Sequence, residues 1–101
     1  MMNITKNLEG NDLTVSLEGR LDTITSAEFE KSVKGSLKTG YNLVLECSHL
    51  EFLTSSGLRA ILSIQKDVYA NGGKMILRKV NSDIMNIFNM TGFSNILIIE
   101  N

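Results

Sequence analysis

Thr54, Ser55 and Ser56 place three hydroxyl side chains in a row, followed at once by Gly57 and by the first apolar position of a helical pattern at Leu58. Hydroxyls where a helix starts can cap its free N–H groups, and a serine used this way contributes about 1 kcal/mol. That is the ordinary reading of such a serine. The other reading is a recognition site. An anion or a phosphoryl group at this point would face unpaired N–H donors and the positive end of the helix dipole. Gly57, without a Cβ, would let a partner backbone or a nucleotide come close.

Other chemistry finds few residues to use. The single histidine, His49, lies between Ser48 and Leu50. It would have to serve any Ser-His-Asp or Cys-His arrangement, and it reads as a surface loop residue. Cys47 is the only cysteine. One thiol makes neither an internal disulfide nor a multi-thiolate metal site, so it reads as a small core hydrophobe. Gly72-Gly73 lacks the spacing and the Lys-Ser/Thr pair of a phosphate-binding loop. No metal-ligand spacing stands out. The expectation is a protein that is not an enzyme and uses no cofactor or metal.

The elements that must hold the three hydroxyls read from the apolar periods. Ile4 and Leu8, then Leu13, Val15 and Leu17, alternate with polar residues. Period 2 predicts two strands, and Glu9-Gly10-Asn11-Asp12 predicts a hairpin between them. Thr25 with Glu28 predicts a capping box, and Ile24 with Phe29 a hydrophobic staple. Phe29, Val33 and Leu37 continue that helix to a stop at Lys38-Thr39-Gly40. Leu43-Val44-Leu45 predicts a strand buried on both faces, closing near Cys47. A helix follows from Ser55 to Ala70 with Leu58, Ile61, Leu62, Val68 and Tyr69 on one face. Asn71-Gly72-Gly73 stops it before a buried strand at Met75-Ile76-Leu77. Asn81 or Ser82 caps a third helix, with Ile84, Ile87 and Phe88 inward and Gly92 at its end. Ile96 to Ile99 is the last strand.

The order β-β-α-β-α-β-α-β predicts an α/β fold, with a mixed sheet of about five strands and about three main helices. The amino-terminal hairpin is antiparallel and the remainder parallel. The predicted core is Phe29, Val33, Leu43, Leu45, Leu58, Ile61, Leu62, Met75, Leu77 and Phe88. At 101 residues and 43% hydrophobic, the chain suits one domain spanning 1–101. With 10 basic against 11 acidic residues, no electrostatic footprint for nucleic acid or anionic lipid shows. The longest apolar runs are far short of the ~20 residues of a membrane span. The polar start carries no secretory signal, so the expected location is cytoplasmic.

Cys47-Ser48-His49-Leu50-Glu51-Phe52-Leu53-Thr54-Ser55-Ser56-Gly57-Leu58 resembles the signature of STAS domains, above all the bacterial anti-sigma factor antagonists. Gly19-Arg20-Leu21-Asp22 resembles the family's Gly-x-Leu-Asp at the end of the second strand. Asn71-Gly72-Gly73-Lys74-Met75 is similar to its helix-to-strand turn, and Phe88-Asn89-Met90-Thr91-Gly92-Phe93 to the end of its third helix. The pieces keep order and spacing along essentially the whole chain.

The resemblance implies a switch and not a catalyst. In the family, the unphosphorylated antagonist binds an anti-sigma factor that is also a serine kinase, and so frees a sigma factor. A separate serine phosphatase resets the modified form. By position, the phosphorylated residue is Ser55, with Thr54 and Ser56 the other acceptors. The implied partner surface is Asp22, Thr54, Ser55, Ser56, Gly57 and Arg59, with Ser63 and Lys66 further along the same helix. Many kinase-coupled members carry Asp where this chain has Thr54. Two other readings stand beside this one: a STAS scaffold module of another pathway that no kinase modifies, and a nucleotide or small-ligand sensor. None of the three involves direct contact with nucleic acid or a membrane.

Overall fold

The computed structural model describes residues 2–100. β1 (Asn3–Glu9) and β2 (Asp12–Leu21) form the antiparallel hairpin, with Asn3 opposite Glu18 and Glu9 opposite Asp12. Then come α1 (Thr23–Ser36), β3 (Asn42–Leu53), α2 (Ser55–Ala70), β4 (Met75–Arg78), α3 (Ser82–Thr91), a 3-10 turn (Phe93–Asn95) and β5 (Ile98–Glu100). The five strands lie in the order β1-β2-β3-β4-β5, and every pairing after the first is parallel. This is the mixed α/β sheet with three main helices that the pattern predicts.

From β2 onward, strands are added one after another in a single direction. Right-handed crossovers then put α1, α2 and α3 on one face of the sheet. Leu13, Val15, Leu17, Leu43, Leu45 and Leu77 point to that face and join Phe29, Ile61 and Phe88 in one buried cluster. The alternate positions Thr14, Ser16, Val44, Glu46 and Ile76 are only half-buried. The expectation that β3 is covered on both faces therefore fails. Val44 sits on an open face, and its β-branched side chain suits a half-buried pleat as well as a core.

Several boundaries also differ from the sequence reading. α1 begins at Thr23 with Asp22 as its N-cap, three residues before the predicted Thr25. Asp22 Oδ1 accepts from the Ile24 and Thr25 N–H groups at 3.0 and 2.9 Å, and Thr25 Oγ1 accepts from the Asp22 N–H at 2.9 Å. The capping box is real, but its pair is Asp22 and Thr25. Ile24 is 71% exposed and makes no staple. The helix ends at Ser36, and Leu37 caps it in an extended conformation. Gly40 instead lies in the turn leading into β3.

β3 runs to Leu53, well past Cys47. Two irregularities against β2 each admit one extra β3 residue, between the Ser16/Glu46 and Glu18/His49 pairs and again between Gly19/Leu50 and Arg20/Phe52. Such bulges break strict alternation, which hides the second half of the strand from a period-2 reading. Nine of the ten predicted core residues are buried; Leu62 is half-buried on the shoulder of α2. The sheet-facing stripe also takes Ile64 and Gln65, whose Nε2 donates to the Ile96 carbonyl at 3.1 Å. Tyr69, predicted inward, is 45% exposed. β5 is shorter than predicted because Phe93–Asn95 forms a 3-10 turn and Ile96 is exposed. Gly73 is required by packing, since a Cβ there would meet the Tyr41 carbonyl oxygen at 1.8 Å.

Candidate functional site

β2 and β3 end side by side, with Leu21 paired to Leu53. Each chain then turns straight into a helix, so Asp22 and Thr54 become the N-caps of α1 and α2. Parallel strands of equal reach thus bring two helix starts together at one edge of the sheet, where open α/β folds usually bind their ligands.

The two starts are finished differently. Asp22 caps its helix twice over, and the hydrogen bond from the Thr25 N–H, followed by that from its hydroxyl, holds the Asp22 carboxyl below the usual carboxylate range. Thr54 makes no side-chain cap. Its N–H and its hydroxyl both donate to the Leu21 carbonyl, at 2.9 and 3.2 Å. That carbonyl ends β2, so Thr54 ties α2 to the neighbouring strand and leaves its own helix open. Ser55 and Ser56 are already the first two residues of the helix. Among the described residues, no side chain accepts from the N–H groups of Ser55, Ser56 or Gly57. The capping reading of these hydroxyls is thereby set aside.

The three hydroxyls also differ in access. Thr54 is half-buried and committed to Leu21. Ser56 is half-buried, with Oγ 3.5 Å from Thr23 Oγ1 on α1. Ser55 is exposed, and its hydroxyl has no hydrogen-bond partner among the described residues. A shallow cleft of about 240 Å³ opens beside them between α1 and α2, lined by Thr23, Ser26, Ala27, Glu30, Ser56, Arg59 and Ala60.

Gly57 has a packing role of its own. It is buried, and a Cβ there would meet Leu21 Cβ at 2.9 Å, the Leu21 carbonyl oxygen at 3.1 Å and Leu53 Cβ at 3.1 Å. The glycine lets α2 start against its own two strands, a reason for it that needs no partner. Ser63 is spent as well. Its hydroxyl accepts from Lys34 Nζ at 2.6 Å and donates to Glu30 Oε2 at 3.0 Å, clasping α1 to α2. Lys34, bonded at 2.9 Å, and Ser63 together hold the Glu30 carboxyl below its ordinary value. Asp22, Arg59 and Lys66 are exposed.

The remaining candidates stay apart from this edge. His49 is exposed, with Nδ1 3.2 Å from its neighbour Ser48 Oγ. Cys47 is buried, and burial, reinforced by Glu46, pushes its thiol up to about 12. A thiol that stays protonated is a poor nucleophile. Among the described residues no three His, Cys, Asp or Glu side chains group as metal ligands, and no helix is long and apolar enough to cross a membrane. A larger cleft of about 410 Å³, lined by residues that include Asp12, Asn42 and Lys74, lies where β2, β3 and β4 begin, away from the serines.

Sequence reasoning missed Thr23 and Ser26 on α1. The available signal was the parallel order itself, since two adjacent strands ending in Leu-Asp and Leu-Thr must deliver two helix starts to one place.

The model of the STAS domain family matches residues 3–101. The chain belongs to the STAS domain family. It is 32% identical over 87 residues to an anti-sigma F factor antagonist of Paenibacillus polymyxa, covering 84% of this chain and 74% of that relative. The fold matches TM1081 of Thermotoga maritima with a TM-score of 0.89 at 22% identity, over 97% of this chain and 86% of the other. It also matches the phosphorylated form of the Bacillus cell fate determinant SpoIIAA, with a TM-score of 0.72 at 17% identity, over 98% and 92% of the two chains.

Proposed function

We propose that this STAS domain is an anti-sigma factor antagonist. In the unphosphorylated state it binds an anti-sigma factor that is also a serine kinase, and a sigma factor is released. Phosphorylation of Ser55 ends that binding, and a serine phosphatase restores it. The observation that carries the reading is the state of Ser55: an exposed, unbonded hydroxyl on the first residue of a helix whose N–H groups have no cap. Thr54 and Ser56 are weaker acceptors on the same grounds, one tied to Leu21 and the other turned toward Thr23. In the transfer step, Ser55 Oγ forms the new bond to the γ-phosphorus of ATP, the bond to ADP breaks, and the hydroxyl proton passes to a base of the kinase. Asp22 keeps an exposed carboxylate beside the site while one of its oxygens serves α1.

The added group brings about −1.5 to −2 charges at pH 7 and three acceptor oxygens. A partner packed on the bare hydroxyl would have to bury that charge, which opposes binding. The test is intact and tandem mass spectrometry after incubation with ATP and a histidine-kinase-like anti-sigma factor from the same genome. One phosphoryl group on Ser55, with loss of co-purification, is the expected result. Phosphate on Thr54 or Ser56 alone would reassign the residue. Unmodified protein that binds no anti-sigma factor would leave an unphosphorylated scaffold module.

A further inference from the structure

Arg59 has no assigned task in that account, and its surroundings suggest one. It is exposed, it forms no ion pair among the described residues, and it stands four positions after Ser55 on α2. Residues spaced four apart are neighbours on one helix face, with Cβ atoms about 6 Å apart. The cleft that Arg59 lines contains a second unsatisfied group. Ser26 is 3% exposed, and its hydroxyl is buried with no hydrogen-bond partner among the described residues. Buried hydroxyls are rarely left so unless something else bonds them. Ser56 and Thr23 add hydroxyls on the same wall, and the open N–H groups of α2 lie at its end. The cleft also holds a carboxylate, Glu30. Its Oε2 pairs with Lys34 at 2.9 Å, a lysine shared with Asp67 at 3.6 Å, and accepts from Ser63 at 3.0 Å, so among the described residues Arg59 is the charge of the cleft without an ion-pair partner.

We propose that the cleft between the starts of α1 and α2 is a receptor for the phosphoryl group carried by Ser55, with Arg59 as its cationic ligand. The guanidinium fork suits phosphate oxygens, and an (i, i+4) pairing of a dianion with arginine lies along the helix it would stabilise. The modification is then held against the domain instead of projecting into solvent. A phosphatase must draw it out of the clamp, so Arg59 tunes the lifetime of the modified state. The inference rests on Ser55 being the modified residue.

The experiment uses the full chain with phosphoserine placed at position 55 during translation, so no kinase is needed. Failure of a kinase to label Ser55 would therefore strike the proposed function and leave this test standing. Phosphorus NMR follows the second ionisation of the phosphate against pH. The charged groups of the cleft are Arg59 on α2 and Glu30 on α1, the latter paired with Lys34, which also reaches Asp67; Asp22 caps the α1 start. The clamp predicts a second pKa below that of a phosphoserine peptide of the same local sequence. Arg59→Gln should raise it by about half a unit, Arg59→Lys by less, and Ser26→Ala by a smaller step in the same direction. The Arg59→Gln protein should also lose its phosphate to an added phosphatase several-fold faster. Because Arg59 is exposed, the variant keeps the fold, which the amide spectrum checks. A pKa unchanged by Arg59→Gln overturns the proposal. A second arm titrates the unmodified protein with inorganic phosphate and with ATP, following the Ser26 and Arg59 resonances. Saturation by either at millimolar concentration would make this a site for free anions and overturn the assignment to Ser55.

Discussion

Asp22 and Thr54 occupy the same place on adjacent parallel strands, one step past the paired Leu21 and Leu53, and both open a helix. At Asp22 the helix start is closed by a reciprocal box. At Thr54 the start is left open, and the threonine spends both donors on the strand beside it. The difference is one of local capping. The N–H groups of α1 are satisfied by its own N-cap, and those of α2 are left in the state in which an anion can bond them.

The largest effect on this comparison should come from Gly57, because it lets the open start sit against both strands. Gly57→Val forces carbon into space already held by Leu21 and Leu53, and overpacking of this kind costs about 1–3 kcal/mol. Urea unfolding should show that loss. A Gly57 variant with weakened partner binding would therefore report on folding before it reported on an interface.

Asp22→Ala should come next, since it removes the carboxylate arm of the box and leaves the Ile24 and Thr25 N–H groups unpaired, while the backbone N–H of residue 22 can still donate to Thr25 Oγ1. Its effect should exceed that of Thr54→Ala, whose hydroxyl caps nothing. The pH dependence has a definite sign. The folded Asp22 carboxyl is held below its unfolded value. Its contribution is therefore fully present above the unfolded pKa and disappears as pH falls through the folded one. Thermal midpoints measured from neutral to acid should fall less steeply in Asp22→Ala than in the parent. Equal slopes would mean that the box is not what distinguishes the two starts.

These two residues also show what a sequence can and cannot disclose. The alternating residues of β2, the stripe of Phe29 and Val33, and the Gly92 helix end depend on near neighbours, and they read correctly. Asp22-x-x-Thr25 and Thr25-x-x-Glu28 are both acceptable boxes locally. What decides between them is where β2 stops pairing with β3, which is a long-range fact. The bulges of β3 are defined only against β2, so its length was hidden for the same reason. The place of Thr54 to Gly57 at the start of a helix was legible, and so was that of Asp22 at the end of the second strand. The direction of the Thr54 hydroxyl was not, because its acceptor lies 33 residues away on another strand. The packing role of Gly57 was not legible either, because the crowding atoms belong to Leu21 and Leu53.

Thr54→Asp would erase the contrast from the other side. Aspartate at the N-cap can accept from the open N–H groups and face the helix dipole favourably, a gain of about 0.5–1 kcal/mol. Part of that gain is offset by losing the hydroxyl's bond to the Leu21 carbonyl. Chemical denaturation should find Thr54→Asp at least as stable as the parent. A clear loss would mean that the tie to β2 outweighs the missing cap, and that the open start is a by-product of strand anchoring.

The smallest change in stability should follow Ser55→Asp, although it places a full charge at the proposed switch. Ser55 is exposed and its hydroxyl has no hydrogen-bond partner among the described residues, so its removal leaves no buried group unsatisfied. The new carboxylate lies on the first residue of α2, where free N–H groups and the dipole favour negative charge. Arg59 stands one turn along the same face to receive it. These terms offset the modest loss of a serine, and the net change should stay within about 0.5 kcal/mol. Binding should behave differently. A partner seated on the bare hydroxyl must strip water from a carboxylate that the domain itself already satisfies. Calorimetry with the anti-sigma factor should thus show weakened association for Ser55→Asp and intact association for Ser55→Ala, while both keep the parent's thermal midpoint. If Ser55→Asp binds as the parent does, the open start of α2 does not face the partner. If it unfolds early, the N–H groups left open at Thr54 are not free to accept an anion.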